Sequence, residues 1–422
     1  MRPISRALSA LLLLAPLATL AQTYTPKSIR IDAPPAVDTA EALRIAALPT
    51  NAPLTKQQIE TALQRLADTG LFADVAYTVN AAALVIKLTP SASSQLLPAR
   101  FGNLVWWQPA ELESLLEARV PAFHGQLPLA GTLTDQVKAA LVSLLHEKGV
   151  DATVNAIEAA SSPGGPITAT TLAIGSPSIL VGDLQLHNAL PALQTQLKKF
   201  QDRLHGEDFD LAETTRSVQA SVNDIYRNAG YLAVDTSAPT YSAPRKDLLN
   251  YAVDLTATIT PGDIYHLSKI TIDAQPPLSE ADLLKAANLH PGDIASPATQ
   301  RFARAEMQNL YAAQGYLAAQ VLFTPHQDNA AHTVDYAYTF VPGDLYHFAS
   351  IDTSALALDQ QAAFARAFTI PPGTVADGKL STAIAQALQS LHLGYKVGIA
   401  TIPDRTNHTV KLVLKTAASP AH

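Results

Sequence analysis

The chain has 422 residues, of which 48% are apolar and 15% are charged, a composition that argues against wholesale disorder. Its net charge of −7 disfavours nucleic-acid binding, because contact with phosphates needs a basic face. Since the sequence contains no cysteine, thiol catalysis, thiolate metal sites and disulfides are excluded.

The first 21 residues have the pattern of a secretory signal peptide. Arg2 and Arg6 precede an apolar run that ends at Leu20, and Ala21 is a small residue at the cleavage position. The alternative is an N-terminal membrane anchor, which the shortness of the run and Pro16 disfavour. No internal apolar run reaches the roughly 18 residues of a membrane span. We therefore expect an exported mature chain without a membrane-spanning segment.

Glycines recur along the chain at spacings of 79, 81, 85 and 79 residues. They are Gly70, Gly149, Gly230, Gly315 and Gly394. The tetrapeptide Gly-Tyr-Leu-Ala occurs at 230–233 and again at 315–318, and Pro-Gly-Asp occurs at 261–263 and 342–344. Matched blocks in a fixed order indicate a tandem array of one small structural unit.

The residues before each glycine predict an amphipathic helix. The apolar stripe has a period of 3.6 and consists of Val218, Val222, Ile225 and Tyr226 in one unit and of Ala303, Met307, Leu310 and Tyr311 in another. Thr55 with Gln58 predicts a capping box, and Ser296 before Pro297 predicts an N-cap. The glycine itself is expected to end the helix in the left-handed conformation.

In chain order each unit is predicted to be β-α-α-β-β. First strands are expected at 28–32, 104–107, 180–187, 267–273 and 348–352, and the two strands after the glycine show a period of two, as at 75–79 and 84–88. We expect an α+β fold of five such units, each a three-stranded mixed sheet covered by two helices, in an elongated array. The units are expected at 22–92, 97–176, 177–261, 262–342 and 343–416.

Other polar and aromatic residues favour structural roles. His266 and His347 occupy equivalent positions and could make a pH-sensitive contact, although ordinary strand positions are favoured. Asp210, in an acidic cluster, is interpreted as a helix cap rather than a calcium ligand. Trp106 and Trp107 could form a binding patch, but core and ordinary surface positions are favoured. No metal-ligand spacing, nucleotide loop or catalytic constellation occurs, so we expect neither a cofactor nor enzymatic activity.

These features together resemble the POTRA (polypeptide-transport-associated) domain. The stretch from Leu66 to Val75 and the Gly-Tyr pairs at 230 and 315 resemble the helix-to-strand junction of that family. The series of units resembles the periplasmic arm of the BamA/TamA outer-membrane protein assembly family, although Gly149 lacks the aromatic neighbour. Only six residues follow Thr416, so we expect the arm without the C-terminal barrel that family members usually carry.

The resemblance implies a periplasmic protein, peripheral to the outer membrane, that assists outer-membrane protein assembly or transport. Unfolded outer-membrane proteins or assembly partners would add a strand at the sheet edge formed after the glycine. The candidate binding residues are Tyr231, Leu232, Val234, Thr236, Tyr316, Leu317, Val321 and Phe323. The alternative is a structural scaffold or spacer that docks onto a separate outer-membrane barrel without client contact.

Overall fold

The computed structural model describes residues 23–35, 37–49, 52–80, 82–92, 96–162 and 164–416. They divide into two compact units. The first comprises the described residues up to Gln185 with Arg203–Thr215 and Thr240–Leu255, and the second comprises Leu186–Asp202, Arg216–Pro239 and the described residues from Thr256 onward. The predicted signal peptide lies outside the described residues. Within the described residues, no helix has the length and hydropathy needed to span a membrane.

Helices and strands alternate along the described chain in the predicted manner. The helices are α1 (Thr39–Ala46), α2 (Lys56–Asp68), α3 (Pro109–Arg119), α4 (Leu133–Glu147), α5 (Gln194–Leu204), α6 (Leu211–Asn228), α7 (Glu280–Ala287), α8 (Pro297–Ala313), α9 (Leu358–Ala367) and α10 (Gly378–Ser390). The strands are β1 (Thr23–Tyr24), β2 (Ile29–Asp32), β3 (Leu54–Thr55), β4 (Phe72–Val79), β5 (Leu84–Pro90), β6 (Leu96–Phe101), β7 (Gln126–Pro128), β8 (Thr153–Ala160), β9 (Ile167–Ser176), β10 (Ile179–His187), β11 (Asp235–Thr236), β12 (Thr240–Tyr241), β13 (Arg245–Asp247), β14 (Asn250–Thr260), β15 (His266–Asp273), β16 (Gln320–Asp328), β17 (Thr333–Val341), β18 (His347–Asp352), β19 (Val397–Asp404) and β20 (Thr409–Thr416).

Apart from the pair β1–β3, the strands of the described residues lie in larger sheets, which we name A to E in chain order. Their strand orders are β2-β5-β4 in sheet A, β7-β6-β9-β8 in sheet B, β10-β14-β11 in sheet C, β15-β17-β16 in sheet D and β18-β20-β19 in sheet E. In sheets A, D and E the last strand is central, parallel to the first and antiparallel to the second. The expected α+β architecture with mixed three-stranded sheets is therefore confirmed, while the number of units and their boundaries stay predictions.

Sheets B and C depart from the three-stranded expectation. In sheet B the first strand is β6, and β7 pairs with its free edge. The prediction of a strand at 104–107 is wrong, because the chain turns there with Leu104 and Trp107 buried. The sequence suggested a strand because these buried side chains belong to a short apolar run. In sheet C the strands β12 and β13 also pair with β14, so the connection between β11 and β14 contains two further strands.

The helix ends are stabilised by the predicted caps. The Thr55 hydroxyl accepts a hydrogen bond from the Gln58 backbone N–H at 3.2 Å, and the Gln58 side chain accepts from the Thr55 N–H at 2.8 Å. Ser296 caps α8 ahead of Pro297. These contacts satisfy N–H groups that have no partner inside the helix.

Each helical stripe buries one face of the helix on its sheet. Val218, Val222 and Tyr226 are fully buried. In the core under sheet D, Tyr311 packs with Tyr338 and Phe340. The tyrosines near the ends of α6 and α8 also fix the connection after the first strand. The Tyr226 hydroxyl accepts from the Leu190 N–H, and the Tyr311 hydroxyl accepts from the Gln275 N–H.

Candidate functional site

Four of the five recurring glycines have the expected backbone conformation. The φ angles of Gly70, Gly149, Gly230 and Gly315 are +79°, +75°, +95° and +94°, in the left-handed region that favours glycine. Gly394 is different, and its assignment to this turn is wrong. His392, with φ +46°, takes the left-handed position after α10, so the turn is completed two residues before Gly394.

The residues after Gly230 form a turn before any strand begins. The Leu232 N–H donates to the Gly230 carbonyl at 3.0 Å, and the Val234 N–H donates to the Tyr231 carbonyl at 3.2 Å. Only Asp235 and Thr236 pair with β14. Val234 and Thr236 are buried, and the Tyr231 ring packs on Tyr226 at 5.7 Å. The predicted edge strand over 231–236 is therefore reduced to its last two residues.

The residues after Gly315 repeat this turn. The Ala319 N–H donates to the Tyr316 carbonyl at 3.1 Å, and β16 begins at Gln320 rather than at Tyr316. Val321 is buried, and the half-buried Phe323 ring contacts both Tyr336 and Tyr338, with ring centroids 5.0 and 5.2 Å apart. The sequence prediction of a strand at Val321 and Phe323 is correct, and that at Tyr316 and Leu317 is wrong. The turn was missed because Tyr-Leu-Ala has the apolar character of a strand.

The two junctions hold successive sheets together inside the second compact unit. The Gly230 carbonyl accepts a hydrogen bond from the Tyr265 N–H at 2.9 Å, and the Gly315 carbonyl accepts from the Tyr346 N–H at 2.9 Å. Leu232 packs against the core of sheet D, and Leu317 packs against the core of sheet E. These two leucines, predicted as client contacts, therefore lie in the contacts between successive sheets, which we call joints.

The joints carry a second duplicated contact that sequence analysis missed. Asp263 lies 3.3 Å from His332, and Asp344 lies 3.1 Å from His408. Both histidines have positive φ and lie in the turn before the central strand of their sheet. The sequence signal was the Pro-Gly-Asp repeat, which marks the carboxylate of each pair.

The strand after the glycine lies at a sheet edge in A, D and E. β16 pairs with β17 along its whole length, from Gln320 opposite Val341 to Asp328 opposite Thr333. Its other side has no strand partner in the described residues. The strand after the glycine therefore has the edge position that the resemblance implies.

Proline fixes the direction of the backbone N–H groups along β16. Pro325 has no N–H, and proline within a sheet occupies positions where the nitrogen faces away from the ladder. Because N–H directions alternate along an antiparallel strand, Val321 and Phe323 share the outward direction of Pro325. The open edge of β16 therefore offers the donors of Val321, Phe323 and Gln327, and Pro325 interrupts the series.

The remaining predicted residues have structural positions. Asp210 caps α6 by accepting from the N–H groups of Ala212 and Glu213, as expected. Trp107 is buried, and Trp106 packs edge-on against Tyr251 at 5.0 Å. Among the residues that the structure describes, no cluster of His, Asp or Glu is suited to hold a metal ion.

The aromatic core of sheet D shifts two tyrosine pKa values. Burial raises the pKa of Tyr336 to about 12, and burial raises the pKa of Tyr338 further above its ordinary value. Both phenols are therefore neutral near pH 7, and these shifts reflect packing rather than acid–base chemistry.

Residues 265–343 match the family model for POTRA, described as a surface antigen variable number repeat. The matched segment contains sheet D with α7 and α8. The resemblance to POTRA-domain proteins that the sequence indicated is thereby confirmed. A comparison with curated proteins finds no match.

The solved structures that this chain matches include POTRA segments. POTRA3-5 of BamA from Haemophilus influenzae is 17% identical, with 58% of this chain and 98% of that chain covered and a TM-score of 0.41. POTRA1-3 of the periplasmic domain of Omp85 from Anabaena is 19% identical, covering 57% and 95%, with a TM-score of 0.26. CdiB from Escherichia coli is 13% identical, covering 55% and 36%, with a TM-score of 0.23.

Proposed function

We propose that this chain is a periplasmic binding arm that captures unfolded outer-membrane proteins or assembly partners by β-strand augmentation. The POTRA match is consistent with a role in outer-membrane protein assembly or transport. The observation that carries the proposal is the open edge of β16, which is continuous, free of charge from Gln320 to Thr324 and backed by a buried core. An added strand would form backbone hydrogen bonds along this edge.

The rigidity of the edge supports the proposal. Val321 is buried against the core of sheet D, and Phe323 is held by two tyrosine rings. A preformed edge lowers the ordering cost of adding a strand. Each backbone hydrogen bond contributes about 0.5–1.5 kcal/mol, largely independent of client sequence. Such an edge suits many unfolded clients.

The competing function is a scaffold that docks onto an outer-membrane assembly component without client contact. The observation that favours it is the position of Leu232 and Leu317, two predicted client contacts whose side chains pack against the cores of sheets D and E. In sheet C the candidate edge is also short, because β11 has two residues. β16 of sheet D contains no joint leucine and is not short, so client capture is favoured there.

The test is removal of one outward donor from β16 by Val321→Pro. A synthetic strand peptide from an outer-membrane protein is titrated into the full chain, and amide resonances are followed by NMR. One hydrogen bond contributes about 1 kcal/mol, so its loss should weaken peptide binding about fivefold. Because Val321 is buried, circular dichroism must first show that the variant is folded.

The matched control is Leu322→Ala, which shortens an exposed side chain and keeps the backbone donor. Leu322→Ala should bind the peptide like the wild type, and in both proteins the amide chemical-shift changes should centre on β16. Shifts confined to the helices, or equal affinity for a folded Val321→Pro chain, would support the scaffold instead.

A further inference from the structure

The hairpin formed by β13 and β14 ends in two leucines. Asp247 pairs with Asn250 across the hairpin, so its loop consists of Leu248 and Leu249 alone. Leu248 is 89% exposed and Leu249 is 86% exposed, more than any other large apolar side chain among the described residues. We call these two residues the leucine tip. An adjacent pair of exposed leucines is an apolar surface that the fold itself does not bury.

The backbone at the leucine tip favours other residue types. Leu248 has φ +54°, in the left-handed region that glycine and asparagine adopt most readily. Two-residue hairpin loops accordingly favour Asn-Gly and Asp-Gly. The Leu248 side chain is too exposed to offset this backbone cost by packing within the fold. Strain of this kind at a solvent-facing position indicates a function outside the folded core.

Aromatic side chains follow the leucine tip in the structure. Tyr251 lies two residues after Leu249 in β14, a distance of about 7 Å along the strand. Its ring contacts Trp106 edge-on, with the centroids 5.0 Å apart, and both residues are half-buried. Tyrosine and tryptophan are enriched where apolar and aqueous surroundings meet, because each ring combines an apolar body with a polar group. The end of the hairpin therefore has an apolar tip and an amphipathic base.

The charges near the leucine tip are balanced. Lys246 and Asp247 are adjacent and exposed, and Arg245 pairs with Asp254 at 3.5 Å. The whole chain has a net charge of −7. Neither the hairpin nor the chain therefore favours attraction to an anionic surface, so the apolar side chains determine what the tip binds.

The size of the leucine tip favours a lipid partner over a protein partner. A specific protein interface buries about 1,200–2,000 Å² and is closely complementary in shape. Two leucine side chains at the end of a convex hairpin supply a small part of that area. A phospholipid bilayer needs no complementary shape, and its apolar interior accepts a protruding apolar side chain. A lipid surface is therefore the partner that this geometry suits.

We propose that the leucine tip inserts into the surface of a phospholipid bilayer, with Tyr251 and Trp106 near the level of the headgroups. This contact does not involve β16 and is separate from strand augmentation. Two leucine side chains have fewer carbon atoms than a myristoyl chain, which by itself binds membranes only reversibly. The partition constant is therefore expected to be on the order of 10³ M⁻¹, enough to orient the hairpin at a membrane but not to anchor the chain.

The experiment measures binding of the full chain to vesicles of pure phosphatidylcholine. Trp106 and Trp107 are the only tryptophans of the sequence, so quenching of tryptophan fluorescence by brominated phosphatidylcholine reports the approach of this region to lipid. Leu248→Asn and Leu249→Asn should each weaken binding about tenfold, and the double variant about hundredfold, because burial of one leucine side chain favours binding by about tenfold or more. Leu248→Asn is expected to fold, since asparagine tolerates the left-handed conformation.

The matched control is Leu358→Asn, because Leu358 is 83% exposed but lies at the start of α9 rather than at a hairpin tip. This variant should bind vesicles like the wild type. Vesicles that contain phosphatidylglycerol should bind the chain no better than pure phosphatidylcholine, and added salt should not release it.

Absence of quenching in the wild type, or equal binding by the double variant, overturns the proposal. Binding that requires phosphatidylglycerol and is lost in salt would be electrostatic adsorption and would refute insertion of the tip. A dimer in sedimentation velocity without lipid that Leu248→Asn disrupts would assign the tip to a second copy of the chain. Val321→Pro should leave vesicle binding unchanged, so failure of strand augmentation and failure of lipid insertion are distinguishable.

Discussion

Replacing Gly315 by alanine tests the joint between sheets D and E. Gly315 has φ +94°, and an added Cβ would lie 2.6 Å from Val375 Cγ1 and 3.0 Å from Leu345 Cδ1. The left-handed conformation costs an L residue roughly 1–2 kcal/mol. Crowding in a packed site adds about 1–3 kcal/mol. We therefore expect Gly315→Ala to destabilise the joint by about 3 kcal/mol.

Gly149→Ala is the matched control, because Gly149 has φ +75° but no atom within 4 Å of the added Cβ. It should cost only the conformational term of roughly 1–2 kcal/mol. A chain of several units need not unfold in one step, so hydrogen exchange with mass spectrometry is the assay. Peptides from α8 and from residues 346–376 should exchange faster in Gly315→Ala. Equal local destabilisation by the two variants would refute the close packing at this joint.

Two further predictions concern sheet D. Burial raises the pKa of Tyr336 to about 12 from 10.0, so the folded state holds the phenol proton more tightly than the unfolded state. The stabilisation is complete below pH 10.0 and is lost as the pH rises toward 12; Tyr336→Phe should reduce this loss in an alkaline titration followed by circular dichroism, and an unchanged titration would contradict it. Pro325→Thr should add an outward donor to β16 and strengthen strand-peptide binding about fivefold in anisotropy measurements. No gain in affinity would show that Pro325 does not limit the edge.

Local sequence signals predicted the helices and the mixed sheets well. The stripe ending in Tyr226 or Tyr311 and the capping box at Thr55 act within one helix, so composition and spacing determine them. The left-handed position after α10 was misassigned because His392, not the conspicuous Gly394, takes it. Non-glycine residues at such positions leave no clear sequence signal.

Features that depend on contacts between distant residues were not predicted. The short strands β12 and β13 pair with β14, and their sequences have proline neighbours and charges rather than a strand periodicity. A groove of about 410 Å³ beside β19 is lined by residues that are far apart in the sequence, among them Leu317, Ile384 and Leu412. The sequence identifies each residue but does not show the cavities between side chains in the fold.

Leu317 has a structural position that its motif did not predict. It follows Gly315 in the clearest repeated block, yet it is half-buried against the core of sheet E. A fully buried Leu→Ala change costs about 2–5 kcal/mol, so a half-buried one should cost about 1–2 kcal/mol. Leu317→Ala should therefore speed hydrogen exchange in α10 and in β20.

The control for Leu317→Ala is Leu322→Ala, whose side chain lies on the open face of sheet D and is 54% exposed. It should change stability by less than about 0.5 kcal/mol, as is usual for surface positions. If instead Leu317→Ala left exchange in α10 unchanged while weakening strand peptides at β16, Leu317 would be a client contact after all. The joint would then rest on the hydrogen bond from the Tyr346 N–H to the Gly315 carbonyl and on the side chains of Val375 and Leu345 next to Gly315.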